Sequence, residues 1–172
     1  MRRLIEAADI QERVAQLGRQ IADDYRGRPL TIIGVLTGSL VLVSDLIRSI
    51  DLPLRVGMIR SSSYAGRTTT GVEVSVDLNV LPDVRARDVL IVDDVFDTGR
   101  TLTAIVERLK SAEAASVRAA VLLWKDRPRD TQWTPNYFGF KIPDVFVVGY
   151  GLDYNDEHRS LPYVAALEPE DL

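Results

Sequence analysis

Short apolar runs alternate along the chain with segments whose apolar residues recur at helical spacing. The run LTIIGVL at 30–36 is rich in β-branched residues and carries no charge, which is typical of a strand buried on both faces. Before it, Ile10, Val14, Leu17 and Ile21 mark one face of an amphipathic helix. Strands that alternate with helices predict an α/β fold with a parallel sheet and helices on both faces. Further strands are predicted at 54–60, 72–78, 89–92, 117–124 and 146–150, and further helices at 39–50 and 102–112.

The composition fits one folded domain and narrows the chemistry that is open to it. The 172 residues suffice for one hydrophobic core. There is no cysteine, and His158 is the single histidine, so any metal is expected to be Mg²⁺ held by oxygen atoms. The absence of a long apolar segment and of a signal sequence predicts a soluble, cytoplasmic protein that does not associate with a membrane. The net charge of −4 argues against nucleic-acid binding.

Three strand ends carry the polar residues that are candidates for a site. Ligands of parallel sheets bind at the carboxyl ends of the strands. In this chain those ends are Thr37-Gly38-Ser39, the segment DDVFDTGRT at 93–101, and Lys125. The sequence therefore predicts one site at this edge of the sheet.

The segment 93–101 has the residues that a phosphate-binding loop needs. Gly99 allows close approach of the backbone to a ligand, Thr98 and Thr101 offer hydroxyl groups, and the following helix N-terminus favours an anion. The simpler alternative is that Asp97 or Thr98 caps the helix. The segment does not match the P-loop pattern of nucleotide-binding proteins.

The segment SSSYAGRTTTG at 61–71 is polar and glycine-bearing, without apolar periodicity. It is predicted to be a long exposed loop, and loops of this length are often functional lids.

The order of these segments resembles the type I phosphoribosyltransferases, over about residues 10–167. The apolar strand, acidic pair and D-T-G-x-T of 89–101 resemble their phosphoribosyl pyrophosphate motif, which is specific to that superfamily. Residues 34–50 resemble the pyrophosphate loop of the hypoxanthine-guanine members. FVVGYGLDYNDEHRSLPYV at 146–164 is close to the C-terminal signature of the 6-oxopurine branch.

The resemblance implies a type I phosphoribosyltransferase core at about 28–125 and a small hood subdomain from 1–27 and 126–172. It implies a purine salvage enzyme that uses Mg²⁺ and transfers the phosphoribosyl group from phosphoribosyl pyrophosphate to hypoxanthine or guanine, giving IMP or GMP and pyrophosphate. It also implies a homodimer or homotetramer.

The resemblance further implies a role for individual residues. Asp97 would be the general acid/base beside the purine's N7. Phosphoribosyl pyrophosphate would be bound by Thr37, Gly38, Asp93, Asp94, Thr98, Gly99, Arg100, Thr101 and Arg159. The purine side of the site would be formed by Lys125 at the 6-oxo group, Phe146 stacking on the ring, Val147 through its backbone, and Asp153. The implied Mg²⁺ ligands are Asp93, Asp94 and Asp153, and the implied mobile-loop pair is Ser63 and Tyr64.

The chain departs from the family pattern at several positions. Asp93 stands where the hypoxanthine-guanine branch usually has glutamate, Thr37 where many members carry lysine, and Val145 where lysine is frequent. Trp124 beside Lys125 is not typical either.

Two alternatives to this function stay open. One is a transferase that prefers xanthine. The other is an RNA-binding regulator of the same fold, similar to the pyrimidine-operon attenuators, which share the pattern D-D-V-x-x-T-G-R-T. Taken singly, each site residue has a simpler structural interpretation: Phe146 as a core residue, Lys125 as a surface residue, and Asp153 with Arg159 as a solvated pair.

Overall fold

The computed structural model describes residues 1–65, 72–76 and 81–171. The helices of these ranges are α1 (Ala7–Asp24), α2 (Leu40–Ser49) and α3 (Arg100–Ser111). The strands are β1 (Arg2–Ile5), β2 (Leu30–Leu36), β3 (Leu54–Ala65), β4 (Val72–Val76), β5 (Asp88–Phe96), β6 (Ser116–Asp126), β7 (Tyr137–Pro143), β8 (Val147–Val148) and β9 (Val164–Ala166).

The main sheet has the strand order β4-β3-β2-β5-β6-β7. Its neighbouring strands are parallel from β3 through β7, and β4 is antiparallel to β3. The predicted parallel sheet is therefore confirmed, with one antiparallel strand at its edge.

The two faces of the main sheet are covered by different helices. Ile32 of β2 and Leu90 of β5 are buried in a cluster that also contains Leu17 of α1 and Leu46 of α2. Their neighbours Ile33 and Ile91 belong to a second cluster, with Ile105, Val106 and Leu109 of α3. Successive residues of a strand point to opposite faces, and so the predicted helices on both faces are present.

The loop predicted from Ser61 is wrong for its first residues. Strand β3 continues to Ala65, and residues 61–65 pair with 72–76 of β4. Serine and alanine are tolerated here because the antiparallel partner satisfies their backbone groups, and apolar periodicity cannot reveal this pairing. Ser63 and Tyr64 thus lie in a strand. Residues 66–71 of the predicted loop, and 77–78 of the strand predicted at 72–78, lie outside the described residues.

A three-stranded antiparallel sheet with the order β1-β9-β8 unites the two ends of the chain. Strand β8 is shorter than the strand predicted at 146–150. Residues 137–143 pair with β6 in the main sheet, while the division into a core and a hood stays a prediction. None of the described helices is long and apolar enough to cross a membrane.

Asp88, at the start of β5, is expected to be important for stability. Its carboxylate is buried and accepts hydrogen bonds from Arg28, with Nε at 2.9 Å, and from the Ser116 hydroxyl. We expect Asp88→Asn to lower the free energy of unfolding by about 2–3 kcal/mol, because Arg28 loses its counter-charge. The control is Asp23→Asn, since Asp23 and its partner Arg26 are both exposed. Equal urea midpoints for the two variants would contradict this prediction.

Candidate active site

The three predicted site segments lie side by side at the carboxyl edge of the main sheet. Strand β2 pairs with β5, and β5 pairs with β6 as far as Phe96 opposite Trp124. Because these strands are parallel and adjacent, the residues after Leu36, after Phe96 and around Lys125 converge on one edge.

Residues 97–101 form a loop that leads directly into α3. Gly99 has a φ of 85° and occupies the N-cap position of that helix. Neither Asp97 nor Thr98 therefore caps α3, and the helix-capping alternative is wrong. Residues 93 and 95–102 line a concave pocket at this helix N-terminus, where backbone N–H groups favour an anion.

Asp93 and Asp94, the acidic pair, directly follow the apolar run of β5. Asp93 is only 7% exposed. Burial, followed by the charge of Asp94, raises the pKa of Asp93 well above its ordinary value, and burial also raises that of Asp94. Two carboxylates confined in this way suit a cation that would neutralise them. Mg²⁺ commonly takes one or two carboxylates and completes its shell with substrate oxygens and water, so this pair would fit that ion.

The Thr37-Gly38 loop is held between two neighbours that leave no room for a side chain. A Cβ atom at Gly38 would lie 1.6 Å from Oδ2 of Asp94, and one at Gly151 would lie 2.2 Å from the carbonyl oxygen of Gly38. Gly151 has a φ of 99°. The predicted pyrophosphate loop thus touches both the acidic pair and the C-terminal segment.

The purine side of the predicted site contains four charged side chains in mutual contact. Lys125 Nζ lies 3.9 Å from Oδ2 of Asp97 and 3.5 Å from Oδ1 of Asp144. Arg127 Nη1 lies 2.9 Å from Oδ1 of Asp97, and its Nε lies 3.6 Å from Oδ2 of Asp144. We call Asp97, Lys125, Arg127 and Asp144 the charge cluster. The structure brings the predicted acid/base Asp97 next to the predicted purine contact Lys125.

The C-terminal segment places an exposed aromatic ring close to the sheet edge. Phe146 is 45% exposed, and its ring meets that of Tyr154 edge-on at 5.5 Å. Its surface position removes the interpretation as a core residue. The next residue, Val147, is buried in β8.

Asp153 and Arg159 form an ion pair, with Oδ1 of Asp153 2.9 Å from Nη1 of Arg159. Arg159 also donates a hydrogen bond to the carbonyl oxygen of Gly151. Its positive charge favours the ionised form of Asp94, which links this pair to the acidic end of β5.

Trp124 lies on the opposite face of the sheet from the charge cluster. Its ring packs edge-on between Phe96 and Phe138, at 5.2 Å from each. It belongs to the apolar cluster under α3, because alternate residues of β6 face opposite sides. Trp124 therefore supports the sheet and does not enter the purine side of the site.

The segment after β6 contacts the loop 97–101, which we call the phosphate loop. The backbone N–H of Asp130 donates to the carbonyl oxygen of Thr98, and its carboxylate lies 2.6 Å from Nε of Arg100. A Cβ atom at Gly99 would lie 2.3 Å from Cγ2 of Thr131. Asp130 and Thr131 are thus part of the wall of the predicted site.

Sequence reasoning missed four residues that the structure brings to the site: Arg127, Asp130, Asp144 and Gly151. Arg127 and Asp144 carry charges close to Lys125 and Phe146, and this proximity in sequence was the available signal. It could not be used because 127–136 shows no apolar pattern that would predict how β6 and β7 are joined.

The acidic pair yields a prediction for the protein free of metal. The pKa of Asp93 is raised from its ordinary 3.8, so the folded state is favoured below pH 4 and loses stability as the pH rises through the raised value. The amide that replaces the carboxyl group in Asp93→Asn has no charge to bury. We expect the free energy of unfolding of this variant, relative to the unmodified protein, to increase as the pH rises above the ordinary carboxyl range. Asp126→Asn, at an exposed carboxylate, should show no such trend, and a flat difference for Asp93→Asn would refute the prediction.

A parallel sheet that ends in an acidic pair and a glycine loop at a helix N-terminus is typical of α/β proteins that bind a phosphate group at the sheet edge. A family model for the phosphoribosyl transferase domain matches residues 5–155. The chain is 42% identical over 167 residues to the hypoxanthine-guanine phosphoribosyltransferase of Staphylococcus aureus strain Mu50, covering 97% of this chain and 93% of that protein. The chain therefore belongs to the phosphoribosyl transferase family.

Solved structures agree with this assignment. A hypoxanthine phosphoribosyltransferase from Staphylococcus aureus superposes with a TM-score of 0.92 at 42% identity, covering 98% of this chain and 91% of that one. A hypoxanthine-guanine phosphoribosyltransferase from Bacillus anthracis gives 0.92 at 33% identity, with 98% and 99% covered. The predicted family and fold are confirmed.

Proposed function

We propose that this protein transfers the 5-phosphoribosyl group from phosphoribosyl pyrophosphate to hypoxanthine or guanine, giving IMP or GMP and pyrophosphate. The observation that carries the proposal is the contact between Asp97 of the phosphate loop and Lys125 of β6. It joins a phosphate pocket to a pair of groups that can recognise a 6-oxopurine.

Different residues of the site have different roles in the reaction. In the transfer, the purine N9 forms a bond to C1 of the ribosyl group while the bond from C1 to the pyrophosphate oxygen breaks. Asp97 takes the proton that the purine loses at N7, and Lys125 donates a hydrogen bond to the 6-oxo group. The carboxylates of Asp93 and Asp94 stabilise the positive charge that develops on the ribosyl group.

The other binding roles follow from position. Thr98, Gly99, Arg100 and Thr101 surround the 5′-phosphate, and the backbone of Thr37 and Gly38 faces the pyrophosphate. Asp93 and Asp94 would hold one Mg²⁺ and Asp153 a second, and the bound metal would neutralise charge on the pyrophosphate.

Arg159 would contact the pyrophosphate, while Phe146 stacks on the purine ring and Val147 contacts it through the backbone. Their fixed positions at the sheet edge support these roles.

Steady-state rates with four purines test the proposal. The purified protein is incubated with phosphoribosyl pyrophosphate, Mg²⁺ and hypoxanthine, guanine, xanthine or adenine, and nucleotide and pyrophosphate are quantified. Turnover with hypoxanthine or guanine, lost on chelation of Mg²⁺, is the expected result. A preference for xanthine would replace the proposed substrate, and no turnover with any purine would refute the proposal.

Several further expectations belong to the proposal. Ser63 and Tyr64 of β3 would belong to a lid that excludes water, so substrate with Mg²⁺ should suppress proteolysis around them. A homodimer or homotetramer, a cytoplasmic location and a hood formed from 1–27 and 126–172 stay predictions.

A further inference from the structure

We propose that Arg127 is a positioning residue of the transfer reaction, which holds the Asp97 carboxylate in place and releases Lys125 to meet the purine. This inference rests on the proposed function. It assigns a task to a side chain that neither the sequence motifs nor the family resemblance singled out.

The charge cluster contains two positive and two negative side chains, and Arg127 makes the shortest contact within it. Its Nη1 atom lies 2.9 Å from Oδ1 of Asp97, whereas Nζ of Lys125 lies 3.9 Å from Oδ2 of the same carboxylate. Arg127 is therefore the principal counter-charge of Asp97. Asp144, which faces both cations from the end of β7, is the second carboxylate that they share.

The contact between Arg127 and Asp97 supplies charge without occupying the acceptor. Oδ1 of Asp97 is buried and has no hydrogen-bond partner of suitable angle, although Nη1 of Arg127 is within 2.9 Å. Nε of Arg127 is likewise buried and without a hydrogen bond. A buried acceptor left open in this way is unusual in a folded protein. Asp97 and Arg127 are thus held together by the attraction of their charges.

The backbone around Arg127 favours a fixed position for its side chain. Its N–H donates to the carbonyl oxygen of Lys125, which forms a tight turn at the end of β6. Pro128 follows and restricts the conformation of the residue before it. The Arg127 side chain is 35% exposed, so its charge is only partly screened.

Without Arg127, Lys125 would be the only cation of the charge cluster. Its side chain is 13% exposed, and its ammonium group would then be attracted to both Asp97 and Asp144. Arg127 thus acts twice: it orients Asp97, and it lets Lys125 point at the 6-oxo group. Both effects concern the purine and leave the phosphoribosyl side unchanged.

The test compares kcat and KM for hypoxanthine in Arg127→Ala, Arg127→Lys and Arg129→Ala. Arg129 is a charge-matched control because its guanidinium lies 5.1 Å from the Trp124 ring centroid, on the other face of the sheet. We expect Arg127→Ala to lower kcat/KM for the purine about tenfold. The KM for phosphoribosyl pyrophosphate should change less than about twofold. Arg127→Lys should restore most of the lost kcat/KM, and Arg129→Ala should leave it within about twofold of the unmodified protein.

A double-mutant cycle separates this role from a structural one. In an Asp97→Asn background Arg127→Ala should have little further effect on kcat, because the group through which it acts is gone. Additive effects, or a rate loss that Arg127→Lys does not restore, would overturn the assignment to Arg127 alone. A protein that turns over none of the four purines would overturn the proposed function together with it.

Discussion

Asp97→Asn is expected to lower kcat with hypoxanthine by a factor of about 10²–10⁴, while the affinity for phosphoribosyl pyrophosphate changes less than about threefold. Asparagine has nearly the same shape and keeps an acceptor oxygen, but it cannot take a proton at neutral pH. The phosphate loop would keep its backbone contact with Asp130, so substrate binding should survive. Single-turnover rates and equilibrium binding of phosphoribosyl pyrophosphate measure the two quantities separately.

The matched control for Asp97→Asn is Asp126→Asn. Asp126 ends β6 beside Lys125, and it is exposed. The same chemical change there should leave kcat within about twofold. Normal turnover of Asp97→Asn would remove Asp97 from its role as acid/base.

Gly38→Ala is expected to lower kcat/KM by about 10²-fold or more. The new methyl group would lie 1.6 Å from Oδ2 of Asp94, a separation that no pair of non-bonded atoms can keep. Either the loop or the carboxylate must move by about an ångström or more, and displacements of that size in a preorganised site cost about this much. Both kcat and the inhibition of the reaction by pyrophosphate should decrease, since the loop and the acidic pair are displaced together.

Gly27→Ala provides the control for Gly38→Ala. Gly27 has a φ of 74° but nothing within 4 Å of an added Cβ, so the substitution strains the backbone far from the site. A loss of about 1 kcal/mol in stability with unchanged kcat/KM is expected for it. If Gly38→Ala behaved in the same way, the close contact between Gly38 and Asp94 would have no functional meaning.

The pattern of apolar and polar residues along the chain was enough to predict its central strands and helices. Runs such as 30–36 are apolar on both faces, and this pattern has few alternatives to a central parallel strand. The site at the carboxyl edge followed from the same reasoning, because Asp93 and Lys125 stand at strand ends. The polar end of β3 at 61–65 was missed, since it becomes a strand only through its pairing with β4.

The charge cluster could not be predicted as a unit. Asp97, Arg127 and Asp144 come from three separate connections, and their contacts depend on β5, β6 and β7 being neighbours in that order. The sequence between Asp126 and Tyr137 has no periodicity that predicts this order. Motif resemblance predicted the residues that would act on the substrate, and only the tertiary structure showed which side chains contact them.

The contact between Gly99 and Thr131 has a consequence for how this protein can be altered by exchange of segments. Thr131 fills the space where a side chain at position 99 would lie, and the neighbouring Asp130 binds both the backbone at Thr98 and the Arg100 side chain. Residues 97–103 and 126–131 are distant in sequence, but the residues through which they contact each other must be compatible. Chimaeras with related enzymes should therefore keep their activity when both segments come from the same parent, and lose it when the parents are mixed.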